Sequence, residues 1–311
     1  MKLAFVFPGQ GSQTVGMLDA WAQNKAAQEV INQANSALGE NLGALMAEGP
    51  AEQLNLTTNT QPAMLTASVA MWSAWCAAGG PEPVLMAGHS LGEYAALTAA
   101  RSLALADAVR LVRIRADAMQ AAVPVGTGAM AAILGLEDDA VIAACQQAAQ
   151  GEIVEAVNFN APAQVVIAGH KAAVERAMEN AKAAGAKRAV LLPVSAPFHA
   201  SLLKPAAAVL AEALAKVDVL APVIPVIHNV DVQTHQAPGS IRQALVDQAW
   251  HPVRWVQTIE AMAGQGVTHI VECGPGKVLT GLVKRISPGL TGMSVSDPAS
   301  MQAAIEALAS A

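Results

Sequence analysis

The segment from residue 83 to residue 100 constrains the fold of this chain more than any other. An apolar run, Pro83–Ala87, leads into the turn Gly88-His89-Ser90-Leu91-Gly92, and Glu93–Ala100 then has the pattern of a helix. Strand, tight turn and helix in this order is the context in which a serine stands on a nucleophile elbow. The two glycines lack the Cβ atoms that would clash in so tight a turn. The helix would begin directly below Ser90, so its N–H groups and positive dipole end would face an oxygen bound there.

Two interpretations of Ser90 follow from these residues alone: a nucleophile, or a capping serine in an ordinary strand-to-helix turn. A nucleophilic serine needs a base that takes its proton. Among the seven histidines of the chain, His199 is favoured because it follows a predicted strand and a rigid loop, Pro193–Phe198. Loops at strand ends are where the sites of α/β sheets gather. His228, at the end of another apolar strand, is the main rival, and sequence spacing leaves the choice between them open.

Arg115 is the most informative charged residue. On the helix predicted over residues 106–122, it shares a face with Leu111, Val112 and Met119 and lies away from the polar stripe. An arginine on an apolar face needs an anionic partner, because it stays charged when it is buried. That partner is either a carboxylate of the protein or a carboxylate of a bound substrate, which the planar guanidinium can hold with two hydrogen bonds.

A serine that attacks a carbonyl also needs N–H donors for the oxygen that becomes negative. The residue after the serine, Leu91, would supply one of these donors. The Gly9-Gln10-Gly11 loop after the first predicted strand is a natural source of a second donor. A simple tight turn is the alternative interpretation of that loop.

Alternating strand and helix patterns outside residues 129–195 favour a parallel, doubly wound sheet. Within 129–195 the order β-α-β-β-α-β is that of a ferredoxin-like unit. We therefore predict an α/β protein with a core of residues 1–128 and 196–311 and an inserted α+β subdomain of residues 129–195. Further expectations are a helix over 60–78 that starts near Gln61-Pro62, a strand over 223–228, and a final helix after Gly274-Pro275-Gly276.

Composition excludes several classes of function. A net charge of −6 over 311 residues disfavours broad nucleic-acid binding. The three cysteines fit neither a disulfide framework nor a zinc site, and we expect buried free thiols. No His, Cys, Asp or Glu cluster has the spacing of metal ligands. Apolar runs stay short of the ~18 residues of a membrane span, and Leu3–Phe7 is too short for a signal-peptide core, so we expect a cytoplasmic protein.

Taken together, the motifs identify a family. The chain resembles the bacterial malonyl-CoA:acyl carrier protein transacylases, the acyltransferases of type II fatty acid synthesis. The similarity extends in order over nearly the whole chain, and it is carried by these strings: Phe5–Gln13, Gly88–Tyr94, Gly126–Met130, Val157–Pro162, Pro193–His199 and Glu272–Gly276.

The resemblance implies a role for each of the candidate residues. Ser90 is the nucleophile that forms a malonyl ester, and His199 is its base and later the acid. The backbone carbonyl of Gln248 orients the histidine in place of a third carboxylate. Backbone N–H groups of Gln10 and Leu91 form the oxyanion hole, and Arg115 binds the free carboxylate of the malonyl group. The implied fold is an α/β-hydrolase-like core with a mostly parallel sheet and a ferredoxin-like insert.

The resemblance also implies the pocket and the partners. Phe198 disfavours a methyl branch, so malonyl is expected over methylmalonyl. Met119, Met130 and Asn158 are further candidates for binding the substrate, with core packing as the simpler interpretation of the two methionines. The substrates are malonyl-CoA and holo acyl carrier protein, without a cofactor or metal, and a monomer is the default. Because acyl carrier protein is acidic, a docking patch is expected, with these candidates: Lys187, Arg188, Lys277, Lys284 and Arg285.

Two other functions share part of this site. A serine esterase or thioesterase would use Ser90 and His199, would not need Arg115, and would normally have an acidic third residue. A non-catalytic acyl-binding or scaffold subunit of a synthase would form no covalent intermediate. Sequence does not distinguish a carrier protein of fatty acid synthesis from one of polyketide synthesis.

Overall fold

The computed structural model describes residues 1–194 and 196–310, which fold into two separate sheets covered by helices. The strands are β1 (Leu3–Phe7), β2 (Leu85–Gly88), β3 (Gly128–Leu134), β4 (Val154–Ala161), β5 (Gln164–His170), β6 (Arg188–Leu191), β7 (Val226–Ile227), β8 (His269–Cys273) and β9 (Thr291–Val295). The helices are α1 (Lys25–Leu38), α2 (Leu42–Glu48), α3 (Ala51–Leu54), α4 (Thr57–Ala77), α5 (Gly92–Ala99), α6 (Leu105–Ala122), α7 (Asp138–Ala149), α8 (Lys171–Ala183), α9 (Lys204–Leu214), α10 (Pro238–Gln248), α11 (Trp255–Gly264), α12 (Val278–Ile286) and α13 (Pro298–Ala309).

The larger sheet has the strand order β7-β2-β1-β8-β9, and each pair of neighbours is parallel. Its central strand, β1, is an unbroken apolar run whose five residues are all buried. Such a run is typical of a parallel strand that is covered by helices on both faces. The parallel sheet predicted from the alternating pattern is therefore confirmed.

The smaller sheet has the order β4-β5-β3-β6 with antiparallel neighbours. With α7 and α8 between its strands, it reproduces the predicted β-α-β-β-α-β sequence of elements. The fold class is thus confirmed: a mixed α/β protein with a parallel sheet and a separate antiparallel one. The division into residues 1–128, 129–195 and 196–311 stays a prediction, and residues 195 and 311 lie outside the described residues.

Several element predictions were wrong in detail. The chain does not end with the helix after Gly276, because β9 and α13 follow α12. The strand β9 was missed because it lies at the sheet edge, where four of its five residues are at most half-buried. Helix α4 begins at Thr57 and accommodates Pro62 within it, rather than starting there. Strand β7 is only two residues long because Pro225, just before it, has no N–H to give to the ladder.

Parallel strands bring the loops at their carboxyl ends to one edge of the sheet. The loop after β1, which contains Gly9 and Gln10, therefore lies beside the elbow after β2. Their backbones are in close contact, since a Cβ atom on Gly92 would lie 2.1 Å from the carbonyl oxygen of Phe7. This edge of the sheet positions the site described next. None of the helices in the described residues is long and apolar enough to cross a membrane.

Candidate active site

Ser90 lies on a strained turn between β2 and α5. Its φ is +53°, a left-handed conformation that costs a non-glycine residue about 1–3 kcal/mol and is typical of functional sites. The turn closes tightly, because a Cβ atom on Gly88 would lie 1.9 Å from the carbonyl carbon of Gly92. Both glycines are therefore required by space, as the sequence predicted, and they lift the Ser90 hydroxyl above the start of α5.

The structure brings His199 to Ser90 from 109 residues away. Nε2 of His199 lies 2.6 Å from Oγ of Ser90, and Nδ1 lies 2.8 Å from the backbone carbonyl oxygen of Gln248. A neutral imidazole with its proton on Nδ1 donates to that carbonyl and presents Nε2 as an acceptor to the hydroxyl. This arrangement is that of an activated nucleophile whose base is oriented by a main-chain oxygen.

Electrostatics keep this base neutral. Burial of the ring and, to a smaller extent, the positive charge of Arg115 lower the pKa of His199 to about 3, against partial opposition from the Gln248 carbonyl. The unprotonated imidazole is therefore available to accept a proton from the serine throughout the neutral pH range.

Arg115 lies in the same cavity, on α6, and is only 2% exposed. Nη1 donates to Oε1 of Gln61 over 2.7 Å, and Nη2 donates to Oε1 of Gln248 over 3.0 Å and to Ser90 Oγ over 3.2 Å. The guanidinium also stands over the ring of Tyr94, with its central carbon 5.5 Å from the ring centroid. These partners are neutral groups.

Across residues 1–194 and 196–310, no carboxylate lies within 4.0 Å of the Arg115 guanidinium. A buried cation without an ion-pair partner is costly, and burial lowers the pKa of Arg115. Of the two partners that sequence left open, a directly paired internal carboxylate is thus absent from the described residues, although the charge of Glu93, from beyond 4.0 Å, partly opposes the lowering of the Arg115 pKa by burial. The arrangement fits a cation that meets its anion when a ligand enters the cavity.

Gln10 and Leu91 both line the cavity beside Ser90. The side chain of Gln10 accepts a hydrogen bond from the Thr57 hydroxyl over 2.8 Å, which anchors the loop after β1. The backbone N–H groups of Gln10 and Leu91 have no acceptor among the described residues. Two N–H groups next to a nucleophile are the donor set that an oxyanion hole requires.

His228, the rival base, has a different partner. Its Nδ1 lies 2.7 Å from Oε1 of Glu93, and both side chains are fully buried. His89 likewise turns away from the serine, with Nε2 2.7 Å from Oδ1 of Asn160 and its ring edge-on to Trp255. The geometry therefore favours His199 as the base.

The remaining pocket candidates are divided by the structure. Met130, Asn158 and Phe198 line the cavity, whereas Met119 lies behind its wall with Sδ 3.9 Å from Nε2 of Gln61. Met119 is fully buried and faces the interior between α4 and α6, which agrees with core packing, the alternative interpretation of this residue. Sequence analysis assigned no role to these other lining residues: Gln61, His89, Asn160, Val166, Leu192 and Val194.

A sequence signal existed for Gln61. It lies in a stretch of α4 that is buried on every side, from Thr60 to Met71, and a long polar side chain in such a helix needs a polar partner. No comparable signal marks Asn229, which donates to the carbonyl of Gly88 and accepts from the N–H of Ser90. Its contacts depend on how β7 is placed beside β2.

The five docking candidates are all exposed and lie in two groups, Lys187 and Arg188 before and in β6, and Lys277, Lys284 and Arg285 around α12. Leu192, just past the end of β6, lines the cavity.

Among the cysteines, Cys145 and Cys273 are buried as expected, but Cys76 is exposed because it lies in the last turn of α4. In the part of the chain that the structure describes, no cluster of His, Cys, Asp or Glu could hold a metal ion.

Comparison with known proteins agrees with this geometry. Residues 4–296 match the model of the family described as "Acyl transferase domain". The chain is 57% identical to the malonyl CoA-acyl carrier protein transacylase of Escherichia coli K12. The alignment extends over 306 residues and covers 98% of this chain and 99% of that protein. It is 45% identical to the protein of the same name from Bacillus subtilis 168 over 99% of this chain and 97% of that one.

Solved structures of similar proteins share the whole fold. The acyl-carrier-protein S-malonyltransferase of Burkholderia pseudomallei 1710b superimposes with a TM-score of 0.97 at 61% identity, over 98% of this chain and 100% of that one. A malonyl-transacylase solved with a type II polyketide acyl carrier protein gives a TM-score of 0.97 at 51% identity, over 99% and 100%. The resemblance found in the motifs is confirmed: this chain belongs to the acyl transferase domain family.

Proposed function

We propose that this chain transfers the malonyl group of malonyl-CoA to the phosphopantetheine thiol of acyl carrier protein through a malonyl ester of Ser90. The observation that carries the proposal is the buried guanidinium of Arg115, which has no carboxylate partner among the described residues and donates to the nucleophile. Relatives with 45–57% identity over nearly their whole length are named for this reaction. An esterase would have no use for such a cation, and His199 lacks the acidic partner of a hydrolase triad.

The first half-reaction follows from the distances. His199 Nε2, 2.6 Å from Ser90 Oγ, takes the hydroxyl proton while Oγ attacks the thioester carbonyl carbon. The negative oxygen of the tetrahedral intermediate is stabilised by the N–H groups of Gln10 and Leu91. When the C–S bond breaks, the imidazolium returns the proton to the coenzyme A thiolate, and the malonyl ester of Ser90 remains.

The second half-reaction runs the same steps with another thiol. His199 takes the proton of the phosphopantetheine thiol, the thiolate attacks the ester carbonyl, and the imidazolium protonates Ser90 Oγ as the ester bond breaks. Throughout, Arg115 holds the free carboxylate of the malonyl group in a low-dielectric cavity, where a bidentate ion pair is strong. Neither half-reaction requires a metal or a redox cofactor.

Selectivity and partners complete the proposal. Phe198 lines the cavity, and we propose that its bulky ring disfavours a methyl branch on the α-carbon, which favours malonyl over methylmalonyl. The acidic carrier protein would dock on one of the two exposed basic groups defined above. We further propose a cytoplasmic monomer that does not bind nucleic acid. Its carrier is proposed to serve fatty acid synthesis, although a relative has been solved with a polyketide carrier.

One experiment separates this function from its rivals. Purified protein is mixed with malonyl-CoA, and its intact mass is followed with and without holo acyl carrier protein. We expect a stable malonyl adduct that disappears when the carrier is added and that never forms in Ser90→Ala. The matched control is Ser102→Ala, since the Ser102 hydroxyl donates to the Leu220 carbonyl outside the cavity. Release of coenzyme A without an acceptor would instead indicate a hydrolase, and no reaction a non-catalytic subunit.

A further inference from the structure

Glu93 lies at the centre of a buried polar cluster directly beneath the nucleophile. The side chain is fully buried in the first turn of α5. Oε2 accepts from the backbone N–H of Asn229 over 2.9 Å and from Nε2 of Gln248 over 3.1 Å, and Oε1 lies 2.7 Å from Nδ1 of His228. Three donors thus converge on one carboxylate, which is the pattern that stabilises a buried negative charge.

Asn229 and Gln248, which both hydrogen-bond to Glu93, also hydrogen-bond to the backbone of the strained Ser90. Oδ1 of Asn229 accepts from the Ser90 N–H over 2.8 Å, and Nδ2 of Asn229 donates to the Gly88 carbonyl over 2.7 Å. Nε2 of Gln248 donates to the Ser90 carbonyl over 2.8 Å. Both backbone polar groups of Ser90 are therefore bound by side chains of residues that Glu93 contacts, Asn229 through its backbone and Gln248 through its side chain. A left-handed serine persists only where its surroundings over-determine it.

The same cluster reaches the cation. Carboxylate and carbonyl oxygens only accept hydrogen bonds, so the Gln248 amide must turn its NH₂ group toward Glu93 and the Ser90 carbonyl. Its remaining atom, Oε1, then faces Arg115 and accepts from Nη2 over 3.0 Å. The hydrogen bond from Gln248 Nε2 to Glu93 thus helps to set this orientation.

We propose that Glu93 is a positioning residue that fixes the nucleophile and the substrate clamp together, with His228 holding its carboxylate in place. Through Asn229 and Gln248 it sets the backbone of Ser90, and through Gln248 it sets the guanidinium of Arg115. Ser90 and His199 still carry out the nucleophilic attack and the proton transfers, and Glu93 does not contact the substrate. The inference rests on the proposed function in one respect, namely that Arg115 binds the malonyl carboxylate.

Two substitutions test the role of this hub. Glu93→Met removes every acceptor from the three donors and keeps the side-chain length. Glu93→Gln keeps an oxygen for Asn229 and Gln248, and its NH₂ group can donate to His228 once the imidazole proton moves to Nε2. The matched control is Glu272→Gln, another buried carboxylate, which accepts from the N–H groups of Leu279 and Thr280 at the start of α12 and contacts none of the site residues.

The readout is the acylation rate of Ser90 by malonyl-CoA and by acetyl-CoA, followed by intact mass, together with circular dichroism of each variant. For Glu93→Met we expect malonyl transfer to fall about 100-fold and acetyl transfer only about tenfold, since both the serine and the clamp are affected. Glu93→Gln should recover most of the malonyl-to-acetyl ratio. Glu272→Gln should be less stable while its ratio stays that of the unmodified chain.

Each outcome decides the matter. Equal losses for the two substrates in Glu93→Met would overturn the inference, because a general loosening of the fold does not discriminate between them. Should Glu93→Met fail to fold, Glu93→Asp carries the test, since it withdraws the carboxylate by ~1.5 Å and must show the same selective loss. An unmodified chain that forms no malonyl adduct, or shows no preference over acetyl, would refute the proposed function itself.

Discussion

Arg115 donates to the hydroxyl of Ser90 over 3.2 Å, so the buried cation and the candidate nucleophile touch before any substrate arrives. A malonyl group on Ser90 Oγ has two carbon–carbon bonds between its ester carbonyl carbon and its free carboxylate carbon. That length is enough for the carboxylate to reach the nearby guanidinium. An acetyl group offers no anion, and a longer diacid would have to fold back. The distance thus connects the chemistry of the serine with the choice of substrate.

Replacement of Arg115 by alanine should selectively impair malonyl transfer. Losing a buried, charge-assisted pair lowers the acylation rate with malonyl-CoA by roughly 100-fold, whereas acetyl-CoA, which lacks the carboxylate, loses little. Stopped reactions analysed by intact mass give both rates. Arg113→Ala is the control on the same helix, since Arg113 pairs with Glu40 at the surface. Equal losses with both substrates would contradict a carboxylate-binding role.

The low pKa of His199 predicts a specific pH dependence of activity. Because burial and Arg115 lower that pKa to about 3, the base stays unprotonated between pH 8 and pH 5. The acylation rate with malonyl-CoA should therefore change little over this range. A titration of the rate with a midpoint near pH 6.5 would show that the imidazole is not perturbed as the structure indicates.

The same shift makes folding stability depend on pH. The unfolded chain binds a proton at His199 below pH 6.5 and the folded chain does not, so this contribution is complete above pH 6.5 and is lost as pH falls toward 3. Between pH 7 and pH 5 one such histidine lowers the free energy of unfolding by about 2 kcal/mol. Urea titrations at pH 7 and pH 5 give the change in the free energy of unfolding, which should be larger by that amount for the unmodified chain than for His199→Asn. Equal changes in the two proteins would speak against this contribution.

The effect of the backbone N–H of Gln10 can be separated from that of its side chain by comparing two variants. Gln10→Pro removes the donor, and loss of one oxyanion-hole donor typically lowers the rate by about 10²–10³-fold. Gln10→Ala keeps the donor and loses only the bond to Thr57, so it should remain close to the unmodified rate. Single-turnover acylation compares the two variants. An alanine variant as slow as the proline variant would place the effect in the side chain.

Phe198 should limit branched substrates. Phe198→Ala opens the cavity wall beside Met130, and we expect the rate with methylmalonyl-CoA relative to malonyl-CoA to rise about tenfold, which is the value of one methyl group in a pocket. Competition between the two thioesters, read from the adduct masses, measures this ratio directly. Phe198→Tyr keeps the ring and serves as control; an unchanged ratio in Phe198→Ala would remove Phe198 from the selectivity of this site.

The elbow glycine should not tolerate a methyl group. Gly88→Ala places a Cβ atom 1.9 Å from the backbone of Gly92, and we expect a loss of about 3 kcal/mol in the free energy of unfolding together with loss of acylation. Gly239→Ala is the control, because no atom lies within 4 Å of its Cβ position and α10 should gain ~0.5 kcal/mol. Urea unfolding of both variants checks this contrast.

Sequence by itself determined the local parts of this protein. The run Leu3–Phe7 is apolar at every position, which specifies a strand buried on both faces, and the turn from Gly88 to Gly92 contains the glycines that its geometry demands. Those features depend on neighbouring residues, so they can be read from the chain. The buried charge of Arg115 was detectable for the same reason, since helical periodicity reveals the face on which a residue lies.

Tertiary structure alone decided which distant residues meet. Sequence left His199 and His228 as competing bases. Only the packing of the strands places the His199 ring in contact with Ser90 and the His228 ring in contact with Glu93. The partners of Arg115 come from α4 and α10, 54 and 133 residues away. Contacts across such separations follow from how helices and strands pack, and residue order does not encode them locally.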